Sequence, residues 1–300
     1  MDLQQMRYVV AVAEEGGFTR AAERCRVVQS ALSHQIARLE RELGALLFER
    51  TSRRVRLTPA GEAFLPAARQ ALDAAERARA EVAAASGEIR GRLAIGAITT
   101  VAAVDLPSLL KRYRERYPQV RITLRAGISE ELIEQVRDGS LDIGFLGLLP
   151  GTIPRGVSDR ELEHGNLVAV VAPDHRLADE AETDLASLAN ETFVDFAAGT
   201  IGRSQSDQAF AAADVQRDVA FEVTSPEFIA EIIRQGLAVG MLPANYAHRL
   251  RGVRTLCVRD APGRVERLIW SRHRPSPPAA AFLRFLDVEP QPPGTTRPDS

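Results

Sequence analysis

Between Gln29 and Arg41 the side chains able to do chemistry gather on one side of a helical pattern. On such a helix Leu32, Ile36 and Leu39 share one face, and Gln29, Ser30, Ser33, His34, Ala37, Arg38 and Arg41 share the other. The second face combines amide, hydroxyl, imidazole and guanidinium groups with one small alanine that permits close approach. These groups can read base edges in a major groove, and guanidinium groups also neutralise phosphates. Charge points the same way. From Arg20 to Arg56 there are nine arginines against four acids, whereas residues 91–300 carry 24 basic and 28 acidic side chains. A solvated charged face accounts for that imbalance equally well.

The elements around this helix form a helix-turn-helix followed by a wing. Leu3, Met6, Val9, Val10 and Ala13 recur at helical spacing until Gly16-Gly17, and Thr19 is placed to cap a short helix holding Ala21, Ala22 and Cys25. Gly44 ends the third helix, and Phe48 to Leu57 reads as a two-stranded wing. Thr58-Pro59 then opens a long helix. Along it Gly61, Phe64, Ala68, Ala71, Ala75, Ala78, Val82, Ala85 and Ile89 alternate steps of three and four, the seam of a helix that pairs with another. Pro66 interrupts the pattern and predicts a kink. A helix packed only on its own chain explains the same seam.

From Gly91 the period changes. Strands are expected over 92–98, 120–126, 141–146, 167–171, 192–196, 220–223, 238–242 and 268–271, and helices over 101–117, 130–138, 204–213, 227–234 and 279–286. Their alternation predicts a parallel α/β sheet in two similar sets, a two-lobed body with a cleft. The last strand and helix return to the first lobe. Residues 290–300, rich in proline and small polar groups, are expected to be disordered.

Composition excludes several classes. With 45% apolar and 26% charged residues the chain can bury a sizeable core, and it is neither largely disordered nor a fibrous repeat. No stretch approaches the roughly 18 apolar residues of a membrane span. No secretory signal is visible, and Cys25 and Cys257 alone suggest no disulfide framework, so the expectation is a cytoplasmic protein without a membrane partner. His34, His164, His175, His248 and His273 lack metal-ligand spacing, and no GxSxG, P-loop or GxGxxG motif follows a strand. No metal, cofactor or catalytic residue is therefore assigned. Two cysteines close together in the second half, as a thiol redox sensor needs, are also lacking, although Cys257 could react alone.

Several segments resemble the N-terminal signature of LysR-type transcriptional regulators. They are Phe18-Thr19-Arg20-Ala21-Ala22-Glu23, the run from Gln29 to Glu40, Leu43-Gly44, Leu47-Phe48-Glu49-Arg50 and Leu57-Thr58-Pro59-Ala60-Gly61. More loosely, Gly139 to Gly144 and Gly236 to Pro243 are similar to that family's effector domain. The resemblance implies an α/β chain with a winged helix-turn-helix over residues 1–58, a linker and dimerisation helix over 59–90, and a periplasmic-binding-protein-like effector domain over 91–289. Lobe I of that domain is expected at about 91–160 plus 266–289, and lobe II at about 161–265. It also implies a homodimer paired through the linker helix, assembled further into a homotetramer, bound to double-stranded operator DNA. Carried over by position, Gln29, Ser30, Ser33, His34 and Arg38 face the major groove, Arg53 reaches the minor groove, and Arg54 and Arg56 lie near phosphates. Position 28, commonly Ser or Thr in the family, is Val28, which cannot cap. Ser30 is the substitute cap expected here.

Ligands of open α/β sheets sit beyond the carboxyl ends of strands, beside helix N-termini. Thr99-Thr100, Gly127-Ile128-Ser129, Gly199 to Arg203 and Thr224-Ser225 occupy such places, and their hydroxyls, amides and one guanidinium suit a small carboxylate. The family resemblance places Thr99, Thr100, Ser129, Thr200 and Ser225 in an inducer pocket. Arg203 is added for its place beside the glycine-rich loop. Ordinary helix capping explains the hydroxyls as well. Gly147 is expected to leave its part of the pocket uncharged.

The function expected is a non-enzymatic DNA-binding regulator whose cleft takes a small-molecule effector, a small organic acid. Two other classes explain part of the chain. A cytosolic solute-binding protein leaves the helix-turn-helix without a role. A two-lobed enzyme of small acids needs an acid–base pair in the cleft, and the nearest acids, Glu130 and Asp142, read as structural.

Overall fold

A computed structural model describes residues 1–50, 55–272 and 275–289. Arg53, Arg54, His273 and the tail at 290–300 lie outside the described residues. The chain divides into two compact units, one ending at Gly91 and one beginning at Arg92.

In the first unit, helix α1 (Leu3–Glu15) begins with a reciprocal cap. Gln5 N–H donates to the Asp2 carboxylate at 2.8 Å, and Asp2 N–H donates to the Gln5 side chain at 3.1 Å. Gly16, at φ +63°, ends it in the left-handed conformation that favours glycine. Helix α2 (Phe18–Cys25) starts after the extended Gly17, so Thr19 lies inside the first turn and does not cap it. Helix α3 (Gln29–Leu43) follows a turn through Arg26. The extended residue before α3 is Val28, whose carbonyl accepts from Ala31 and Leu32 N–H, and no side chain caps it. Ser30 is the second residue of the helix and is not the cap.

Leu32, Ile36 and Leu39 are fully buried and pack with Tyr8, Val9, Val12, Ala21, Ala22, Leu47 and Phe48. Each such side chain contributes about 1.5–3 kcal/mol on leaving water. Strands β1 (Phe48–Arg50) and β2 (Val55–Leu57) pair antiparallel, with Phe48 opposite Leu57. The buried Glu40 carboxylate holds the entry to this wing by accepting from Leu47 and Phe48 N–H at 2.9 and 3.3 Å.

Helix α4 (Pro59–Ala85) is capped by Thr58, which accepts from Gly61 N–H and donates to the Leu46 carbonyl. A Cβ on Gly61 would stand 2.1 Å from the Leu47 carbonyl oxygen, so only glycine lets α4 approach the wing this closely. The helix is continuous through Pro66 and ends before Ser86-Gly87, which leaves Ile89 outside it and shortens the expected seam. Ala80 and Ala83 are buried on it, whereas Val82 is 70% exposed.

The second unit runs β3 (Gly91–Ala97), α5 (Leu106–Arg116), β4 (Val120–Ala126), α6 (Ser129–Arg137), β5 (Ile143–Leu148), β6 (Val157–Val171), β7 (Glu182–Thr183), a 3-10 turn at Ala186–Leu188, β8 (Thr192–Phe196), α7 (Ile201–Ala212), β9 (Asp218–Val223), α8 (Pro226–Arg234), β10 (Gly240–Pro243), α9 (Ala244–Ala247), β11 (Arg254–Val258), β12 (Gly263–Ser271) and α10 (Pro277–Arg284). Helix α5 begins later than expected because Asp105 caps it, accepting from Ser108 N–H, with Pro107 in its first turn.

The main sheet has the order β4-β3-β5-β12-β6-β11-β7, with β10 also on β6. It is mixed, which corrects the parallel sheet expected. β3 and β5 are parallel, but β12 runs antiparallel to both β5 and β6, and β8 pairs parallel with β9 apart from the main sheet. After the buried Val157, residues 158–166 of β6 are mostly polar and half-buried or exposed, without the apolar alternation that marks a strand, and β12 holds this stretch by backbone pairing from Gly263–Asn166 to Ser271–Val157. One body core gathers Ala94, Leu132, Val136, Leu146 and Ile269, and two others lie around Phe193, Phe210 and Met241 and around Val170, Ile229 and Leu242. Tyr113 of α5 stacks on Phe282 of α10 at 5.3 Å and donates to the Pro278 carbonyl at 2.8 Å.

Removing the Glu40 carboxylate strands two buried amides. Glu40→Ala is expected to cost about 1–3 kcal/mol in urea unfolding followed by circular dichroism. Glu42→Ala, which removes an exposed pair with the N-terminal amine, is expected to cost about 0–1 kcal/mol. Equal costs for the two would show that Glu40 does not hold the wing.

Candidate functional site

In the first unit, Gln29, Ser30, His34 and Arg38 are exposed along α3 and Ser33 is half-buried, while Leu32, Ile36 and Leu39 turn inward. Arg56 is exposed on β2, and Arg53 and Arg54 of the same wing lie outside the described residues. No side chain caps α3, so its first amides are open to an anion or a base edge.

In the second unit a cavity of about 410 Å³ opens between the β3–β5 lobe and the β8–β9 lobe. Thr99, Thr100, Ser129, Thr200 and Ser225 all line it. Most of these hydroxyls are already engaged. Ser129 accepts from Gly147 N–H and donates to the Gly147 carbonyl, each at 3.2 Å. Thr200 caps α7, accepting from Arg203 N–H and donating to the Ala197 carbonyl. Ser225 caps α8, accepting from Phe228 N–H and donating to Glu227. Thr99 is exposed on the rim.

Arg203 does not belong to the lining. Its guanidinium donates to Asp207 at 2.9 Å, to Glu222 at 3.1 Å and to the Phe196 carbonyl at 3.3 Å. Arg217 joins the same cluster through Asp195 and Asp207 at 2.8 and 2.6 Å. Burial pushes the Asp195 carboxyl up to about 6, against the pull of Arg217. The Arg203 guanidinium is thus paired within the protein, with Asp207, Glu222 and, at 3.9 Å, Asp195.

The cation of the cavity is Arg264 on β12, only 6% exposed. It donates through Nη2 to Thr100 Oγ1 at 2.8 Å and through Nη1 to Gln205 at 3.4 Å, and its Nε has no acceptor. A Cβ at position 147 would lie 2.4 Å from the Arg264 Cζ. Gly147 therefore does not leave its place uncharged: it makes the space that the guanidinium fills. Among the described residues no carboxylate lies within ion-pairing distance of Arg264. Glu266, on the same face of β12, instead accepts from Ala102 and Ala103 N–H at 3.0 Å. Burial lowers Arg264 to about 10 while Glu266 opposes that shift, so it remains a cation at neutral pH.

Glu130 stands on another wall. Its Oε1 accepts from Ile201 N–H, the first amide of α7, at 2.7 Å, while its Oε2 is buried without a partner. Asp142 lies elsewhere, accepting from Ala94 N–H and from Ser276 Oγ, so the two acids do not form a pair in the cavity. Among the described residues no group of three or more His, Cys, Asp and Glu side chains is placed to hold a metal.

The sequence contains no sign of Arg264. One arginine among many, at the start of a strand read only from Leu268 onward, carries no spacing or motif. Its partners Thr100 and Gln205 are 164 and 59 residues away.

Comparison with known proteins decides the family. Residues 3–62 match the family described as bacterial regulatory helix-turn-helix protein, lysR family, and residues 86–289 match the LysR substrate binding domain. The chain belongs to the LysR family. It is 34% identical to the HTH-type transcriptional regulator YnfL of Escherichia coli (strain K12), over 95% of this chain and 97% of that one. It is also 34% identical to the transcriptional dual regulator GltC of Bacillus subtilis (strain 168), over 81% of each. Among solved structures, full-length CbnR complexed with its target DNA matches with a TM-score of 0.72 and 25% identity, covering 96% of this chain and 99% of that one. Full-length OxyR from Pseudomonas aeruginosa matches with a TM-score of 0.70 and 28% identity, covering 95% and 93%. Like these relatives, this LysR-family chain is a DNA-binding transcriptional regulator with a substrate-binding domain and is not an enzyme.

Gly147→Ala drives a methyl group into the Arg264 guanidinium, and the expected cost is about 1–3 kcal/mol of stability. In a double-mutant cycle with Arg264→Ala the two losses are expected to be less than additive by about 0.5–3 kcal/mol, because removing the guanidinium removes the clash. Additive losses in thermal unfolding would show that the two do not touch.

Proposed function

We propose that this regulator reads operator DNA with α3 and its wing, and that a small organic acid in the cavity adjusts that binding. Gln29, Ser30, Ser33, His34 and Arg38 face the major groove in this reading, Arg53 reaches into the minor groove, and Arg54 and Arg56 neutralise phosphates. Residues 1–58 act as the DNA-binding domain, 59–90 as the linker that pairs two subunits, and 91–289 as the effector-binding domain. A homodimer through α4, doubled to a homotetramer, matches two half-sites of an operator. The exposed Val82 on α4 and the likeness to CbnR on its target DNA support the paired, DNA-bound arrangement.

The observation that carries the effector reading is Arg264: a buried guanidinium on the lining of a ligand-sized cavity, with an Nε that has no hydrogen-bond partner and no carboxylate within ion-pairing distance among the described residues. An anion that enters meets a preformed donor whose desolvation has already occurred during folding. Thr99 on the rim, Thr100 against Arg264, and Ser129, Thr200 and Ser225 holding amides at helix starts all line the cavity, so in this reading all five contact or border the effector.

Binding of the full chain to upstream DNA of its own and adjacent genes, measured by fluorescence anisotropy across a salt series, tests the DNA half. Arg38→Ala and Arg53→Ala are each expected to weaken binding and reduce the salt slope by about one. Ser33→Ala and His34→Ala are expected to change the consensus selected from random DNA. A chain that prefers no genomic fragment over competitor duplex in dilute salt overturns the reading. Calorimetry with a panel of carboxylic acids tests the effector half, and absence of binding by every member removes it.

A further inference from the structure

We propose that the effector is an amino acid, whose carboxylate meets Arg264 and whose ammonium meets Glu130. This deepens, and rests on, the reading of the cavity as a carboxylate site. Two residues of the lining each carry a buried polar atom that has no hydrogen-bond partner among the described residues, and the two atoms are of opposite kind. Arg264 Nε is a donor without an acceptor, and Glu130 Oε2 is an acceptor without a donor. Both residues flank one local contact. The guanidinium lies over Gly147, Gly147 exchanges two hydrogen bonds with Ser129, and Glu130 follows Ser129 in the first turn of α6. The Ser129 hydroxyl is occupied by Gly147, so it cannot satisfy either orphan.

Ligand chemistry follows from which molecules satisfy both atoms. A simple carboxylate pairs with Arg264 and leaves Glu130 Oε2 buried without a donor. A dicarboxylate brings a second anion toward Glu130, where like charges in a partly desolvated cavity repel. An amine without a carboxylate leaves the guanidinium unmatched. A ligand that carries an anion at one point and a cationic donor at another satisfies both atoms and matches both charges, and Phe196, Ile201 and Val223 supply apolar walls for its carbon skeleton. Glu130 has a second consequence. Because Oε1 already accepts from the first amide of α7, an ammonium on Oε2 joins the α6 and α7 sides of the cavity through one carboxylate.

The test uses the full chain in calorimetry and thermal-shift assays with four matched sets of probes. These are the twenty proteinogenic amino acids with β-alanine and γ-aminobutyrate, the corresponding acids without the amino group, dicarboxylates of two to six carbons, and the corresponding amines without the carboxylate. At least one amino acid is expected to bind about tenfold or more tightly than its des-amino acid, a gap of roughly 1.4 kcal/mol. Glu130→Gln, which keeps the side-chain volume and the oxygen facing Ile201, is expected to erase that gap without weakening the des-amino acid. Arg264→Lys is expected to weaken both acids of the pair. An unchanged melting temperature and unchanged operator affinity without ligand show that Glu130→Gln is folded, and a variant that fails those checks is replaced by Glu130→Met. If carboxylic acids bind but no amino acid exceeds its des-amino partner, if a dicarboxylate binds tightest, or if the gap survives in Glu130→Gln, the amino-acid assignment is wrong while the carboxylate site stands. If no carboxylate of any set binds, both readings fail together.

Discussion

A guanidinium taken out of water loses several kilocalories per mole that one or two hydrogen bonds do not return. Arg264 is held in that condition by the long antiparallel pairing of β12 with β6. Alternation along β12 places Arg264 and Glu266 on the same face, and the register shift between Glu266 and Arg267 ends that stretch. Glu266 then anchors the loop at Ala102-Ala103, which presents Thr100 to Arg264. Strand pairing, loop and cation thus form one unit, and the cavity is shaped by the residues that keep the cation buried.

Glycine placement follows from the same demand for close approach. At Gly147 a side chain would occupy the volume of the guanidinium, and at Gly61 it would strike the Leu47 carbonyl. Neither position needs a left-handed backbone. Each is glycine because another group fills the space, a cation in the body and the wing's backbone in the DNA-binding unit.

The two units meet their polar demands in different ways. In the first, charged and polar side chains of α3 remain in water, and the single buried carboxylate, Glu40, is spent on backbone amides. In the second, Asp195, Arg264 and Glu266 are buried, and Asp195 pairs with Arg217 while Glu266 accepts from the Ala102 and Ala103 amides. Arg264 and Glu130, which each carry a buried polar atom without a hydrogen-bond partner among the described residues, both belong to the cavity lining. That contrast separates a surface that presents chemistry to a large partner from a cavity that withholds it from water.

The sequence by itself determined most of the helices, though not α9 or the start of α5, and the inward and outward faces of α3, because helical periodicity is a local property that leaves a repeating trace. It also determined the caps at Gly16, Gly44 and Thr58, which depend on one residue's conformational range or hydroxyl. Local rules misplaced Thr19 and Ser30 as caps by two residues each, since Gly17 and Val28 adopted the extended backbone. Tertiary structure alone decided the mixed sheet, because backbone pairing between residues a hundred positions apart makes a strand of the polar segment at the start of β6. It also placed Arg264, and not Arg203, on the cavity lining. Both are arginines beside unremarkable neighbours, and only the folded chain surrounds one with acids and packs the other over glycine, with no ion pair among the described residues.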